Sequence, residues 1–305
     1  MIDLLTIVLP IFGLIAIGYV ARRGNFISER AGEGLSEFVF KLSLPCLIFR
    51  TLVHAEIPAV QPWGYWISYF VGVAVVWALA TMLGRRFFGL TGISQVVAGF
   101  SAGQANTVFV GIPMILKAYG EAGAVPLFLL IAVHLPVTMT LATVLAEGRQ
   151  ASPLLILRRL VTHPIVVAII AGSACRPFAA AIPSPFWQVV ELLGSAAVPC
   201  ALISMGIALQ RYGIAMGWKL PLLISILKLI IHPLIVLLLA RYVFEMPPVW
   251  AGVAVLFASC PSGINAYLFA ERYGEGVALA SSSVCLSTML ALGSTLLWLA
   301  VLGVG

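Results

Sequence analysis

Two short polar segments interrupt apolar stretches of this sequence, and they hold the side chains best suited to bind a ligand. Asn106 and Asn265 carry uncharged amides that can both donate and accept hydrogen bonds. Gln104, Thr107 and Ser262 stand beside them. Such side chains bind a polar or anionic small molecule, or they cap the backbone of a frayed helical turn. The sequence leaves both roles open for each of the five residues.

Each polar segment also contains residues that break a helix. Pro113 and Pro261 lack a backbone N–H and disturb the preceding turn, and Gly111 and Gly263 loosen the backbone. An opened turn cannot face lipid, because its free N–H and C=O groups would find no partner there. We therefore predict two interrupted helices lining a solvated cavity, in which these four residues keep the breaks open. The N–H groups exposed at each break can hold an anion.

Three basic side chains lie within other apolar stretches. Lys228 can snorkel or pair with a neighbour, or it can balance the charge of an anionic substrate. His232 directly precedes Pro233, and His134 stands two residues before Pro136. Either histidine can pair with a carbonyl that the proline frees, or it can take part in proton or ion coupling.

No catalytic or metal-binding motif accompanies these residues. The sequence contains a single aspartate, Asp3, and no HExxH or GxSxG motif. Its five cysteines form neither a CxxC pair nor a Cys/His cluster at metal-ligand spacing. We therefore predict that the protein is not an enzyme and binds no metal or other cofactor. A channel remains an alternative, because broken helices also build selectivity filters.

The composition places the whole chain in a membrane. Of 305 residues, 62% are hydrophobic and 9% are charged, whereas a soluble domain is roughly 45–50% apolar and about 25% charged. The net charge of +6 comes from basic residues at helix ends, where cytoplasm and anionic lipid account for them. We predict an all-α polytopic membrane protein whose surroundings are the lipid bilayer, with no nucleic-acid partner.

Ten stretches are long enough to cross a hydrocarbon core of ~30 Å at ~1.5 Å per residue. These predicted spans 1 to 10 are 3–22, 29–53, 62–84, 93–118, 121–146, 154–175, 185–209, 217–243, 248–272 and 276–303. The connecting loops alternate between the two membrane faces, and the face richer in Lys and Arg is cytoplasmic.

The charge count gives the orientation of the ten spans. One face holds eleven basic residues, namely Arg22, Arg23, Arg30, Arg85, Arg86, Arg149, Arg158, Arg159, Arg211, Lys219 and Arg272. The other face holds only three, Lys117, Arg176 and Arg241. We predict a multi-pass protein of the cell (inner) membrane with both termini extracytoplasmic.

An internal repeat relates the two halves of the chain at an offset of 154 residues. The matches include Pro45-Cys46 with Pro199-Cys200 and Tyr119-Gly120-Glu121 with Tyr273-Gly274-Glu275. Because each half holds five spans, an odd number, the halves enter the membrane in opposite orientations, as in many secondary transporters. The sequence predicts two inverted repeats, 1–147 with helices 1–5 and 154–305 with helices 6–10, and broken helices 4 and 9 in corresponding places.

The motifs around the two breaks resemble those of the auxin efflux carrier family, which includes plant auxin exporters and bacterial malate and malonate carriers. The resemblance rests on Asn106-Thr107, Gly111-Ile112-Pro113 and Tyr119-Gly120 in span 4, on Pro261, Gly263 and 269–273 in span 9, and on 42–52 in span 2. The long cytoplasmic loop of many plant exporters is absent, and Asn265 is closer to the bacterial members.

The resemblance implies the ten-helix fold of bile-acid:sodium symporters. Helices 1, 2, 6 and 7 would form a scaffold, and helices 3–5 and 8–10 a moving transport core in which helices 4 and 9 cross. It also implies secondary transport of a small organic anion (malonate, malate or an auxin-like acid) by alternating access, H+ or Na+ as a coupling ion, and a homodimer formed through the scaffold. Ion-coupled symport of a larger amphipathic anion is the alternative.

Overall fold

The computed structural model describes residues 2–55, 63–148, 158, 162–212 and 217–304. Its α-helices are, in chain order, α1 Ile2–Arg23, α2 Glu29–Phe38, α3 Leu44–His54, α4 Trp63–Phe88, α5 Gly92–Gly103, α6 Ile112–Tyr119, α7 Ala124–Glu147, α8 Pro164–Cys175, α9 Ser184–Ser195, α10 Ala197–Tyr212, α11 Lys219–Ile226, α12 His232–Leu238, α13 Pro248–Ser259, α14 Ile264–Tyr273 and α15 Val277–Leu302. Within the described ranges there is no β-strand, which confirms the predicted all-α class.

Seven helical stretches are long and apolar enough to cross a membrane. They are Leu4–Arg23, Trp63–Phe88, Thr107–Glu147, Pro164–Ala181, Ser184–Arg211, Lys219–Val243 and Val277–Leu302. Predicted spans 2, 4 and 9 are also helical, but each is divided into shorter helices. The first part of predicted span 6 lies largely outside the described residues. The count of ten spans and their inverted repeat therefore stay predictions.

Three prolines follow a widened, π-helical turn. Pro45, Pro113 and Pro233 each stand two residues after the end of such a turn, in Val39–Ser43, Thr107–Gly111 and Leu227–Ile231. A proline cannot donate a helical hydrogen bond, and its ring clashes with the carbonyl four residues earlier. One additional residue in the preceding turn relieves that clash. The helix consequently continues past each of these prolines.

Glycines bring two pairs of helices into close contact. α1 packs along α10, where a Cβ added to Gly18 would lie 2.2 Å from Ile203 O and one added to Gly206 would lie 2.0 Å from Ile15 O. α3 packs along α8, and Gly172 makes a similar close approach there. Small residues at such contacts let backbones meet, which is how helices gain packing energy in lipid.

The remaining long helices enclose a second packed group. α4 packs against α5 and α12, α13 packs against α12, and α15 packs against α11. Fully buried aromatic rings fill the space between them, including those of Tyr65, Tyr69, Phe100 and Phe257. The Tyr65 hydroxyl donates to Pro126 O over 2.7 Å, which satisfies its polar end inside the core. This second group contains both interrupted helices.

Candidate binding site

Both predicted interruptions are present. In span 4 the helix α5 ends at Gly103, the chain is non-helical over 104–106, and a π-helical turn begins at Thr107. In span 9 the helix α13 ends at Ser259 and α14 begins at Ile264. Pro261 lies inside the second break, as predicted. Gly111 and Pro113 instead follow the first break, at the junction of the π-helical turn with α6.

The two breaks lie against each other and form a crossing. Ala105 and Ser262 make an isolated antiparallel bridge. The Asn106 N–H donates to Pro261 O over 2.8 Å, and the Gly263 N–H donates to Gln104 O over 3.0 Å. These bonds satisfy backbone groups that the breaks have removed from their helices, as a low-dielectric interior requires.

Side chains of α7 form hydrogen bonds with residues of the first break, and a tyrosine of α4 contacts one of these side chains. The Ala105 N–H donates to His134 Nε2 over 3.2 Å. Because Nε2 accepts, a neutral imidazole carries its proton on Nδ1, which lies 2.9 Å from the Tyr69 hydroxyl. Thr138 Oγ1 donates to Gln104 Oε1 over 2.9 Å. His134 therefore holds the backbone of the break in place.

Ser262 belongs to the joint between the helices. Its hydroxyl donates to Ser101 O over 2.7 Å, and its N–H donates to Ser287 Oγ over 3.0 Å. The residue is fully buried and is not part of the cavity lining described next. Ser262 thus ties the second break to α5 and α15.

A cavity of about 300 Å³ lies beside the crossing. The two breaks contribute Gln104, Ala105, Asn106, Thr107, Gly263, Ile264 and Asn265 to its lining. Apolar side chains cover much of the remaining wall, including Ile131, Leu135 and Met139 of α7 and Ile165 of α8. The cavity therefore lies where the two packed groups of helices meet, and four polar side chains of the crossing border it.

The two asparagine amides differ in their protein contacts. Asn106 is 3% exposed, and its amide nitrogen lies 3.3 Å from Met205 Sδ, a weak acceptor. Asn265 is half-buried in the first turn of α14, and its side chain has no hydrogen bond to any other described residue. Both amides consequently retain hydrogen-bonding capacity toward the cavity.

Two helix starts open on this cavity. Thr107 begins the helical segment after the first break, and Ile264 begins α14 after the second. The first N–H groups of a helix have no carbonyl partner within the helix, and this end carries about half a positive charge. Helix starts of this kind bind anions. The cavity thus combines two positive helix ends with two amides.

The remaining predicted residues lie elsewhere. Lys228, His134 and His232 do not line the cavity. Lys228 and His232 are fully buried and contact each other, with 3.2 Å between Lys228 Nζ and His232 Nδ1. The structure therefore brings Gln104, Asn106, Thr107 and Asn265 to one cavity and separates them from Lys228 and Ser262.

Four further polar residues line the cavity, Thr140, Thr143, His163 and Arg272, and the sequence assigned none of them to a site. His163 directly precedes α8, and Arg272 lies near the end of α14, where its guanidinium is 3.3 Å from a Glu147 carboxylate oxygen. The sequence indicated Arg272 as a topology signal and as part of the motif 269–273, without a binding role. Arg272 follows Asn265 by seven residues, which is two helical turns, so both belong to one face of a helix. This spacing was the signal in the sequence that could have assigned Arg272 to the site.

Three known proteins with similar sequences are named as transporters or carriers. A protein of Rhizobium meliloti (strain 1021) named "Putative malonate transporter" is 28% identical over 309 residues, which covers 96% of this chain and 94% of the relative. "Auxin efflux carrier component 8" of Arabidopsis thaliana is 22% identical, covering 94% of each chain. An uncharacterized transporter of Methanothermobacter thermautotrophicus is 26% identical, covering 97% of each.

The family model described as "Membrane transport protein" matches residues 3–155 and 149–299, nearly the whole chain. This match and the plant relative confirm the resemblance to auxin efflux carriers that the motifs indicated. They also confirm that the chain resembles transporters and not enzymes. The protein is therefore a membrane transporter and belongs to the membrane transport protein family.

Proposed function

We propose that the cavity at the crossing binds a small organic anion, a carboxylate such as malonate or malate, and that the protein carries it across the membrane by alternating access. One observation carries this proposal: two helix starts and the amides of Asn106 and Asn265 border the same cavity. Free N–H groups at a positive helix end suit carboxylate oxygens, and amide donors add charge-assisted hydrogen bonds.

The size of the cavity favours a small substrate. Its volume of about 300 Å³ is at the lower end of the roughly 300–1,000 Å³ found for pockets that hold drug-sized ligands. This supports a malonate-sized or auxin-like acid over a larger amphipathic anion such as a bile acid. The name of the Rhizobium relative points to the same class of substrate.

We further propose the ten-span, inverted-repeat architecture. Span 1 packs on span 7 and span 2 packs on span 6. The repeat relates span 1 to span 6 and span 2 to span 7, so it converts one of these contacts into the other. Matching tripeptides also end matching helices: α6 ends at Tyr119 before Gly120 with φ +57°, and α14 ends at Tyr273 before Gly274 with φ +68°. Glycine adopts a positive φ readily and commonly follows the last residue of a helix.

Transport then requires the core to move against the scaffold. Phe40 and His163, from predicted scaffold helices 2 and 6, line the cavity together with the crossing of core helices 4 and 9. The lining also includes Arg272, which the charge count assigns to the cytoplasmic face. This supports a cytoplasm-open state. Movement of the core would expose the same crossing to the opposite side, with H+ or Na+ as coupling ion.

The family resemblance supports a homodimer formed through scaffold helices 1, 2, 6 and 7. Native mass spectrometry of the protein released from several mild detergents should show a dimer. Monomers alone across all of these detergents would contradict the proposed assembly without bearing on the binding cavity.

Uptake into proteoliposomes tests the proposed function. Purified protein should take up labelled malonate or malate in a saturable way, and unlabelled acid inside the vesicles should accelerate uptake by exchange. Non-saturable flux without exchange would indicate the alternative, a channel. Saturable uptake of a bile acid but of no small carboxylate would indicate a carrier of larger amphipathic anions, and no flux of either would contradict anion transport.

A further inference from the structure

Lys228 is fully buried and lies apart from the cavity at the crossing. It stands in the π-helical turn Leu227–Ile231, which joins α11 to α12. Burying an ammonium group is costly unless its charge is balanced and its N–H groups have acceptors. The contacts of Lys228 must therefore account for its presence.

The ammonium group of Lys228 contacts the carboxyl end of a half-helix. Lys228 Nζ donates to Ala258 O over 2.6 Å. Ala258 is the penultimate residue of α13, which ends at Ser259, directly before the second break. The last four carbonyls of a helix have no helical donor, and this end carries about half a negative charge. A cation at this position is stabilised by the carbonyl and by the helix end together.

The second contact of Lys228 leaves a nitrogen atom unmatched. His232 Nδ1 lies 3.2 Å from Lys228 Nζ. When Nδ1 accepts from the ammonium, the neutral imidazole carries its proton on Nε2. His232 Nε2 is buried and has no hydrogen-bond partner among the described residues. Buried polar atoms normally have hydrogen-bond partners. Burying the Lys228–His232 pair therefore costs free energy that apolar packing alone does not explain.

The helices around Lys228 supply no carboxylate to balance its charge. The segments 63–88, 219–238 and 248–259 contain neither Asp nor Glu. The neighbouring polar groups are the His232 imidazole and the Tyr69 phenol, whose rings lie 5.2 Å apart, and the nearby His134 and Cys260. Among the described residues, the charge that balances Lys228 is thus the partial negative charge at the carboxyl end of α13.

We propose that Lys228 is a tethered cation that occupies the carboxyl end of α13, the kind of position at which broken-helix transporters hold a coupling metal cation. Ligand binding at the crossing then needs no Na+, which leaves H+ of the two coupling ions named above. The link to the crossing is short, because Ala258 precedes Pro261 by three residues and Pro261 O accepts from Asn106. The effect of Lys228 on ligand binding rests on the proposed function. Its place as the cation at the end of α13 does not depend on that function.

Substitution of Lys228 tests the tethered cation without any ligand. Lys228→Ala removes the charge and leaves a space that Na+ or methylammonium can enter. Lys219→Ala is the matched control, because it removes an exposed lysine from the beginning of α11. The melting temperature of each purified protein is measured in choline, sodium and methylammonium chloride at equal ionic strength.

The wild-type protein and Lys219→Ala should melt at the same temperature in all three salts. Lys228→Ala should melt lower in choline and regain part of the loss in sodium or methylammonium. Stabilisation of the wild-type protein by Na+ over choline, wild-type melting of Lys228→Ala in choline, or a loss that neither cation relieves would overturn the proposal. If Lys228→Ala does not fold, Lys228→Met retains the apolar stem and should melt below the wild-type protein in all three salts, since its side chain leaves no space for a cation; wild-type melting of Lys228→Met in choline would overturn the proposal.

Ligand binding separates this proposal from the proposed function. The malonate affinity of the wild-type protein should be equal in sodium and choline, and Lys228→Met should lower it by about ten- to a hundredfold, while Lys219→Ala leaves it unchanged. Malonate binding that requires Na+ overturns the tethered cation and leaves anion transport intact. Absence of carboxylate binding in every salt contradicts anion transport, and the melting data then decide on the tethered cation alone.

Discussion

Asn106 and Pro261 belong to different halves of the sequence, and a backbone hydrogen bond of 2.8 Å joins them. The bond links an N–H that follows the first helix break to a carbonyl inside the second. Each break therefore supplies hydrogen-bond partners for backbone groups of the other break, so the two interruptions stabilise each other. Because the two breaks satisfy each other's backbone groups, the amides that border the cavity are available to bind a ligand.

Removing the Asn265 amide should weaken ligand binding without unfolding the protein. Asn265 lines the cavity, and its side chain has no hydrogen bond to another described residue. A hydrogen bond to a charged group contributes about 1.5–3 kcal/mol. Asn265→Ala should therefore lower carboxylate affinity roughly ten- to a hundredfold and leave the melting temperature nearly unchanged, because water can fill the vacated space.

Affinity and melting temperature are measured on the same purified Asn265→Ala protein. If the amide instead caps the first turn of α14, the melting temperature falls and the affinity of the folded protein stays near the wild-type value. That pattern would remove Asn265 from the binding site.

A methyl group at position 263 should disrupt the crossing. A Cβ on Gly263 would lie 3.0 Å from Ala105 O and 3.0 Å from Gln104 Cγ. Because backbone cannot easily move aside, Gly263→Ala should destabilise the protein by about 1–3 kcal/mol and lower its melting temperature. Gly293→Ala is the control, since a Cβ there meets no atom within 4 Å and alanine is favoured over glycine in a helix. Equal melting of the two variants would show that the crossing is not tightly packed.

Arg272 should discriminate between acids with one and two carboxylates. It lies on the same helix face as Asn265 and borders the cavity, so its guanidinium can bind a second carboxylate. Arg272→Gln should reduce the affinity for malonate about tenfold or more and affect a monocarboxylate such as acetate much less. The measurement is competition by both acids against labelled substrate. Equal losses for both acids would assign Arg272 only to its ion pair with Glu147.

Both termini should be extracytoplasmic. The charge count predicts this orientation, and the ion pairs of Arg211 with Glu29 and Glu271, at 3.4 and 3.3 Å, join helix ends that the ten-span pattern assigns to one face. A reporter that is active only in the cytoplasm should therefore be silent when fused after Gly305. An active reporter on a protein that still transports would refute the predicted orientation.

Local chemistry predicted much of the fold and part of the site. Apolar length indicated the membrane helices, and Pro261 and Gly263 marked the second break, because these residues disturb a helix wherever they occur. The first break was less well located. Pro113 is accommodated by a π-helical turn, and the chain leaves the helix at Gln104. Sequence alone cannot distinguish a proline that breaks a helix from one that widens a turn.

The contact partner of Lys228 depends on tertiary structure and was not predictable. A lysine in an apolar stretch indicates a balanced charge, but its partner is the carbonyl of Ala258, thirty residues later in the chain. Backbone carbonyls carry no sequence signal, since every residue has one. The positions of Asn106 and Asn265 at the crossing were easier to predict, because each lies next to its own break, and their binding of a substrate stays a prediction.

Thiol protection at position 265 tests the central claim, that a carboxylate binds at the crossing, most directly. In Asn265→Cys the new thiol borders the cavity, and a small alkylating reagent added from the cytoplasmic side should modify it, with mass spectrometry of the peptide giving the rate. Saturating malonate should slow this modification, and the neutral analogue malonamide should not. An unchanged rate at malonate concentrations that saturate uptake by the same protein would contradict binding at the crossing.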